Sequence, residues 1–272
     1  MKRIQSILVA AVLLWAAPVQ AEQPIFDEMP RWDGGWGVQV LQEFLMKQEE
    51  DHAPNAGFAS AEERIHLTHV QGVYTWDKSI RMTAKVPVVL FAERTVETSG
   101  VSPATLQDQG LGDVTLAVPL KQYFNLDGRS GSWTLGPQML VPGGSDDAYN
   151  VYQRDWAGGI YAGYETETFL FHIGGGFDAW YGEGDSPVSS GQYFQFGMNY
   201  QIGDLNGYVK LKNYGKYQQD KVLKYSVGPS IYLRITDTVH MQIQTMHDVV
   251  AKRFDDKTGR DDSYRIGIGF VY

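Results

Sequence analysis

The sequence predicts an all-β fold, an antiparallel transmembrane β-barrel of about twelve strands. Apolar residues recur at every second position in successive segments of roughly ten residues, as expected for strands with one apolar face. The connections between these segments alternate between short and long, and the chain ends in an aromatic residue, Tyr272. After residue 21 the longest apolar run is the 7 residues Val86–Ala92. A barrel could therefore cross a bilayer with this sequence, whereas helices could not.

The first 21 residues have the features of an export signal. Lys2 and Arg3 provide a positive start, residues 7–19 form an apolar stretch of 13 residues, and Val19-Gln20-Ala21 is similar to an Ala-x-Ala cleavage site. A membrane anchor would need about 20 apolar residues. We therefore predict a signal peptide over residues 1–21 and export of the remainder.

Cleavage would leave 251 of the 272 residues and change the formal net charge from −9 to −11, because Lys2 and Arg3 are lost. Nucleic acids require a basic surface, so we predict no nucleic-acid partner. The sequence contains no cysteine, which excludes disulfides and thiol chemistry. We expect residues 22–33 to form a segment that lies in the periplasm or enters the lumen, and residues 34–272 to form the barrel.

Alternation is clearest in the last segment, 264–272. One face carries Tyr264, Ile266, Ile268, Phe270 and Tyr272, and the other carries Arg265, Gly267 and Gly269. Five further segments alternate clearly, namely 79–92, 113–121, 194–202, 223–235 and 239–248. Six weaker segments bring the total to twelve, namely 35–46, 64–76, 131–141, 156–165, 169–181 and 205–214. In 64–76 neither register gives a clean apolar face.

The predicted connections also favour a barrel in the bacterial outer membrane. Those after odd-numbered segments are long, namely 47–63, 95–110, 142–155, 182–192, 215–222 and 249–262. Those after even-numbered segments are short, such as 76–79, 165–168 and 235–238. Outer-membrane barrels have an even strand number, short periplasmic turns and long outer loops. This pattern predicts that both termini are periplasmic.

A secreted β-sandwich or soluble barrel is the main alternative, because one face of its strands would also be apolar. Alternation alone does not separate the two, but the loop lengths and the aromatic C-terminus favour the membrane barrel. Its expected partners are outer-membrane lipids and the barrel-assembly machinery, since Phe270-Val271-Tyr272 resembles the terminal signature which that machinery recognises.

We also considered whether the sequence contains an active site or a metal site. His247-Asp248 is a candidate for an outer-membrane hydrolase, although a histidine at the rim of a barrel explains it equally simply. His66 and His69, with His52 nearby, are candidate metal ligands. Residues three apart on a strand face opposite sides, so these two should not converge. We predict no catalytic residue, no metal and no cofactor.

Charged side chains within the segments fall mainly on the face opposite the apolar one. Because charges face lipid only at a high cost, we expect them to point into the lumen. The predicted pore-lining residues are Arg81, Lys85, Asp113, Lys121, Glu165, Asp178, Lys210, Lys212, Lys224, Arg234, Asp248 and Arg265, together with Glu43. They either select solutes by charge in an open pore or form an ion-pair network in a filled lumen. Twelve strands lie between filled and open barrels, so both interpretations remain.

Pro87, Pro119 and Pro137 fall within three neighbouring predicted strands. Proline cannot donate a ladder hydrogen bond and is normally found at edges or bulges. We therefore predict a bulged region in this part of the wall. It either provides a lateral exit for apolar solutes or simply bends the barrel.

Three short motifs resemble a family of bacterial outer-membrane transporters of the MetA pathway of phenol degradation. They are Gly110-Leu111-Gly112-Asp113-Val114, Leu135-Gly136-Pro137 and Pro142-Gly143-Gly144. The resemblance covers most of the mature chain loosely. It implies a barrel that passes small hydrophobic or aromatic molecules, with which the inward basic residues fit poorly.

Three functions are thus open at the level of sequence. The first is an outer-membrane channel or transporter for small molecules. The second is a structural or assembly barrel with a filled lumen, and the third is an outer-membrane hydrolase.

Overall fold

The computed structural model describes most of the region predicted to form the barrel. The described residues are Met29, 32–51, 59–98, 102–126, 129–143, 156–167, 171–182, 189–202, 205–218, 222–253 and 257–272. The predicted signal peptide and most of segment 22–33 lie outside them. Among the described residues, no helix is long and apolar enough to cross a membrane.

Fourteen strands make up the regular structure of these residues. They are β1 (Gly35–Asp51), β2 (Ala59–Thr75), β3 (Arg81–Thr98), β4 (Ala104–Leu111), β5 (Val114–Ala117), β6 (Leu120–Leu126), β7 (Arg129–Val141), β8 (Ala157–Glu167), β9 (Phe171–Gly182), β10 (Ser189–Ile202), β11 (Leu205–Gln218), β12 (Val222–Arg234), β13 (Val239–Arg253) and β14 (Lys257–Val271).

These strands close into a twelve-stranded barrel, because β4, β5 and β6 are successive pieces of one long strand. Each of the twelve strands counted in this way is called a stave below. β4 pairs with β3, β6 pairs with β7, and β5 pairs with both. β1 pairs with β2 on one side and with β14 on the other, so that Glu43 lies opposite both Leu67 and Arg265. All pairings are antiparallel. The predicted fold class and the number of twelve strands are confirmed.

The strands extend further than the sequence pattern predicts. β1 and β2 are each 17 residues long and remain paired from Gly35–Thr75 to Asp51–Ala59. The predicted connection 47–63 was therefore too long, as was 249–262, which lies mostly in β13 and β14. Ladder hydrogen bonds continue here where both faces are polar, so the apolar alternation ends before the strand does.

Two short turns are held by side-chain hydrogen bonds at the predicted positions. After β2, Asp77 Oδ1 accepts hydrogen bonds from the backbone N–H groups of Ser79 (2.6 Å) and Ile80 (2.9 Å). After β12, Thr236 Oγ1 accepts from the N–H groups of Thr238 (3.2 Å) and Val239 (3.0 Å). Such local bonds favour tight turns over extended chain.

The outer face of the barrel is apolar and its inner face is polar. In β14, Ile266 is 48% exposed and Ile268 is 43% exposed, whereas Gly267 and Gly269 are buried and Arg265 points inward. The same alternation runs through the other staves, including β2, where His69 and Gln71 are buried. The wall thus presents apolar side chains outward, as a lipid-facing surface requires.

The wall is irregular beside all three prolines. The stave formed by β4, β5 and β6 is interrupted at 112–113 and again at 118–119, beside Pro119. Across the breaks, Gly112 N–H donates to Pro87 O (2.8 Å) and Val118 N–H donates to Pro137 O (3.0 Å). On its other side β7 remains paired with β8 through Pro137. The predicted bulged region is present, and the hydrogen bonds across it favour bending over an opening.

Gly228 in β12 provides a test of the backbone packing. A Cβ atom there would overlap the carbonyl oxygen of Thr245, whereas a Cβ on Gly158 in β8 would meet nothing within 4 Å. We expect Gly228→Ala to destabilise the barrel by about 1–3 kcal/mol and Gly158→Ala to leave it nearly unchanged. Urea unfolding in detergent micelles measures both. Equal stability of the two variants would contradict this packing.

Candidate functional site in the barrel lumen

Most of the predicted pore-lining residues lie on the inner face. Arg81, Lys85, Asp113, Asp178 and Lys210 are buried. Lys121, Glu165, Lys212, Asp248 and Arg265 are partly buried. Arg234 is at the end of β12, where it is exposed and pairs with Asp237 in the turn. Lys224 lies in β12, but its side chain is outside what the structure describes. Whether these residues line an open pore remains a prediction.

Glu43 is the centre of a buried polar cluster on β1, β2 and β14. Its Oε2 lies 2.7 Å from His69 Nε2, and its Oε1 lies 2.8 Å from Arg265 Nε. Ser263 Oγ donates to Glu43 Oε1 at 2.7 Å. Three groups that can donate hydrogen bonds thus surround one carboxylate, which offsets the cost of burying its charge.

The sequence did not predict this cluster. In the sequence, His69 is notable only as a candidate metal ligand beside His66. The available signal was the spacing: His69 lies two residues from Leu67 and two from Gln71, which places all three side chains on the same face of β2. It was obscured because the inner face of β2 mixes apolar and polar residues.

A second cluster lies on the other side of the lumen. Lys121 Nζ donates to Glu165 Oε2 at 3.1 Å, and Gln195 Nε2 donates to Glu165 Oε1 at 2.9 Å. Lys210 Nζ lies 3.4 Å from His172 Nε2. These contacts join β6, β8, β9, β10 and β11 across the inner surface. Three of the predicted lining residues, Lys121, Glu165 and Lys210, take part in these contacts.

Aromatic rings cover inward-facing glycines on β7 to β10. A Cβ atom on Gly136 would overlap the ring of Tyr161, and one on Gly159 would lie 2.7 Å from the ring of Trp180. Two further rings, those of Tyr193 and Tyr214, cover glycines in the same way, at Gly163, Gly176 and Gly191. Because glycine has no side chain, each ring can lie against the backbone of the adjacent strand. The result is an aromatic inner surface on this side.

Part of the N-terminal region contacts the inner face. Met29 is 1% exposed and packs with Val73 and Val271, and Trp32 packs against the same group. Arg81 Nη1 donates to the carbonyl oxygen of Met29 at 3.3 Å, and its guanidinium lies 5.3 Å from the centre of the Trp32 ring. The described residues nearest the N-terminus therefore lie within the end of the barrel at which β1 begins.

The candidate hydrolase residues do not converge. His247 Nδ1 lies 3.0 Å from Asp262 Oδ1 on the outer face, and its ring contacts Tyr264. Asp248 instead accepts hydrogen bonds from Ser226 Oγ and from the backbone N–H of Asp261. The two neighbours therefore engage different groups on opposite faces of β13.

The candidate metal ligands are likewise separated. His66 Nε2 lies 3.0 Å from Gln42 Oε1 on the outer side of the wall, whereas His69 is inside with Glu43. This confirms the expectation that they face opposite sides. His52 lies outside the described residues, and within the described ranges no three histidine or acidic side chains are grouped as a metal ion would require.

Removal of the charge on Glu43 tests the first cluster. We expect Glu43→Gln to leave Arg265 and His69 with a weaker partner and to lower the free energy of unfolding by about 1–3 kcal/mol. Glu62→Gln is the matched control, because Glu62 is exposed and pairs with exposed Arg64. Denaturant unfolding of both variants provides the measurement, and a larger loss in the control would contradict the assignment.

The whole fold is similar to that of a solved outer-membrane channel. The COG4313 outer membrane channel from Pseudomonas putida F1 matches with a TM-score of 0.62 and 16% identity, over 93% of this chain and 100% of that chain. The CymD monoaromatic hydrocarbon channel and the KdgM porin give TM-scores of only 0.44 and 0.45, with 6% and 7% identity, over 89% and 85% of this chain and 89% and 99% of theirs. No family model and no curated protein matches the chain. The chain therefore has the fold of an outer-membrane β-barrel.

Proposed function

We propose that this protein is a narrow channel for small molecules in the bacterial outer membrane, with both termini in the periplasm. The observation that carries the proposal is the placement of charged side chains inside a closed barrel whose outer surface is apolar. An apolar outer face fits lipid, and a polar inner face fits a path for solutes. The longer connections at the end opposite the termini support the orientation.

The depth of burial of the inner face favours a narrow lumen over a wide one. Gln39, His69 and Thr75 are each 0% exposed although they point inward. A wide water-filled pore would leave such side chains accessible. Solutes should therefore pass in contact with the wall, which provides selectivity rather than general permeability.

A filled structural barrel is the second candidate, and the same burial and the ion pairs around Glu43 support it. The two candidates differ in conductance. A channel incorporated into planar bilayers should give discrete current steps in potassium chloride, whereas a filled barrel should give none. Absence of steps from correctly folded protein, as judged by its heat-dependent mobility in gels, would contradict the channel proposal.

The resemblance of the three glycine-rich motifs to transporters of the MetA pathway, together with the fold shared with a COG4313 channel, supports transport of small molecules. We propose a solute of the size of a single aromatic ring. The two polar clusters on the inner face have no part in covalent chemistry in this proposal.

Met29 and Trp32 give a specific prediction about conductance. Because both side chains pack inside the barrel end where β1 begins, we propose that these two residues narrow the periplasmic mouth. The double substitution Met29→Ala, Trp32→Ala should increase the single-channel conductance. Trp36→Ala is the matched control, since Trp36 is 61% exposed on the outer face. An unchanged conductance in the double variant would contradict this role.

A further inference from the structure

A strip of polar side chains runs along the inner wall from β6 to β11 and is here called the basic strip. Its members are Lys121, Glu165, His172, Gln195, Lys210 and Lys212. Lys121 and Gln195 both donate to the carboxylate of Glu165. Gln195 is directly opposite Lys212 in the pairing of β10 with β11. Lys210, which contacts His172, lies two residues before Lys212 and therefore on the same face of β11.

Glycines on β9 and β10 leave the space that these side chains occupy. A Cβ atom on Gly174 would lie 2.8 Å from Gln195 Nε2 and 3.3 Å from Glu165 Cγ. A Cβ atom on Gly197 would lie 2.7 Å from Lys210 Cγ. The polar side chains therefore lie along the wall, against the backbone of the adjacent strands.

Water reaches part of the basic strip. The side chain of Glu165 is 28% exposed even though it points inward and contacts Lys121. Lys212 is also partly exposed. Ions dissolved in the water at this inner surface can therefore approach both side chains directly.

The basic strip has an excess of positive charge. It contains three ammonium groups and one carboxylate, and the ion pair of Lys121 with Glu165 contributes no net charge. His172 is neutral, because an ammonium group can only donate a hydrogen bond and His172 Nε2 must therefore accept the one from Lys210. The formal excess is thus the charge of Lys210 and Lys212.

Resting on the proposed channel function, we infer that the basic strip makes the lumen selective for small anions, carboxylates included. The strip already holds one carboxylate, that of Glu165, through an ammonium group and an amide group. Lys212 likewise lies beside amide groups, since it faces Gln195 and donates to Gln244 at 2.8 Å. An anion at Lys212 meets the same two types of donor, whereas a cation is repelled by the excess positive charge.

The composition of the whole chain predicts the opposite preference. Its formal net charge is −9, and the field of an acidic protein attracts cations. Salt screens exposed charges over about 10 Å in ~0.1 M solution, so acidic residues far from the lumen act weakly on an ion inside it. The basic strip acts at contact distance. The sign of the ion selectivity therefore separates the local charge from the global one.

The test is the reversal potential of the protein in a planar bilayer with a gradient of potassium chloride. Chloride should be more permeant than potassium by about 3-fold or more, the effect of an excess charge a few ångströms from the ion in water. Replacement of chloride by acetate on one side probes the carboxylate, which should also be more permeant than potassium. Equal permeabilities, or a preference for potassium over either anion, would overturn the inference.

Substitutions of opposite charge should shift the selectivity in opposite directions. Lys212→Gln should lower the ratio of chloride to potassium permeability about 2- to 4-fold, and Glu165→Gln should raise it by a similar factor. Loss of packing alone would not give opposite signs. The matched controls, Arg64→Gln and Glu62→Gln, remove the same charges from an exposed pair on the outer face and should leave the ratio unchanged. Shifts of the same sign in the two lumen variants, or equal shifts in the controls, would contradict the assignment.

The outcomes distinguish this inference from the channel proposal on which it rests. If the wild-type protein gives no current, the channel proposal fails and the inference fails with it. If it gives current without a preference for anions, only the inference fails. If Lys212→Gln does not fold, Lys121→Gln removes an ammonium group at the other end of the strip and should also lower the ratio. An unchanged or higher ratio in that variant would contradict the role of the basic strip.

Discussion

Closure of the hydrogen-bond ladder between β1 and β14 is the constraint on which the rest of the structure depends. The chain has no cysteine to form a disulfide, and its interior is mostly polar, so neither cross-links nor a conventional apolar core holds it. Each stave is instead bonded to two neighbours, and the last pairs with the first from Gly37–Val271 to Asp51–Lys257. A sheet without an edge leaves no backbone group exposed to lipid.

Closure also determines which residues become inner residues, because successive side chains alternate between the two faces. On the side of β7 to β11 the inner positions include glycine and large aromatic residues, and on the side of β1 to β3 they include amides and charges together with aliphatic residues such as Leu67. Gly136, Gly159 and Gly191 are therefore not merely flexible positions. Each leaves the space in which a ring from the next strand lies, so glycine and aromatic residues are paired across strands although they are distant in sequence.

The twelve staves and the inward placement of Lys85 and Asp178 could be predicted from the sequence, because period-two alternation is a local property of each strand. The cluster of Glu43, His69 and Arg265 could not. It joins residues more than 200 positions apart, and only the register between β1 and β14 brings them together. The sequence pattern predicts loops that are too long for a related reason. The hydrogen-bond ladder continues past the apolar region through polar residues such as Lys47 and Glu63, which form an ion pair and do not contribute to the apolar alternation.

Pairing within the lumen affects how a solute would be bound. Glu43 already engages Arg265 and His69 at 2.7–2.8 Å, so these groups are held in position before any solute arrives, and a solute would have to compete with them. Gln39 and Trp180 differ, because Gln39 Nε2 and Trp180 Nε1 are buried donors without a partner among the described residues. A solute that accepts a hydrogen bond from such a donor displaces no protein partner described here. In the proposed channel, selectivity should therefore come from positions such as these more than from the ion pairs, which mainly fix the shape of the lumen.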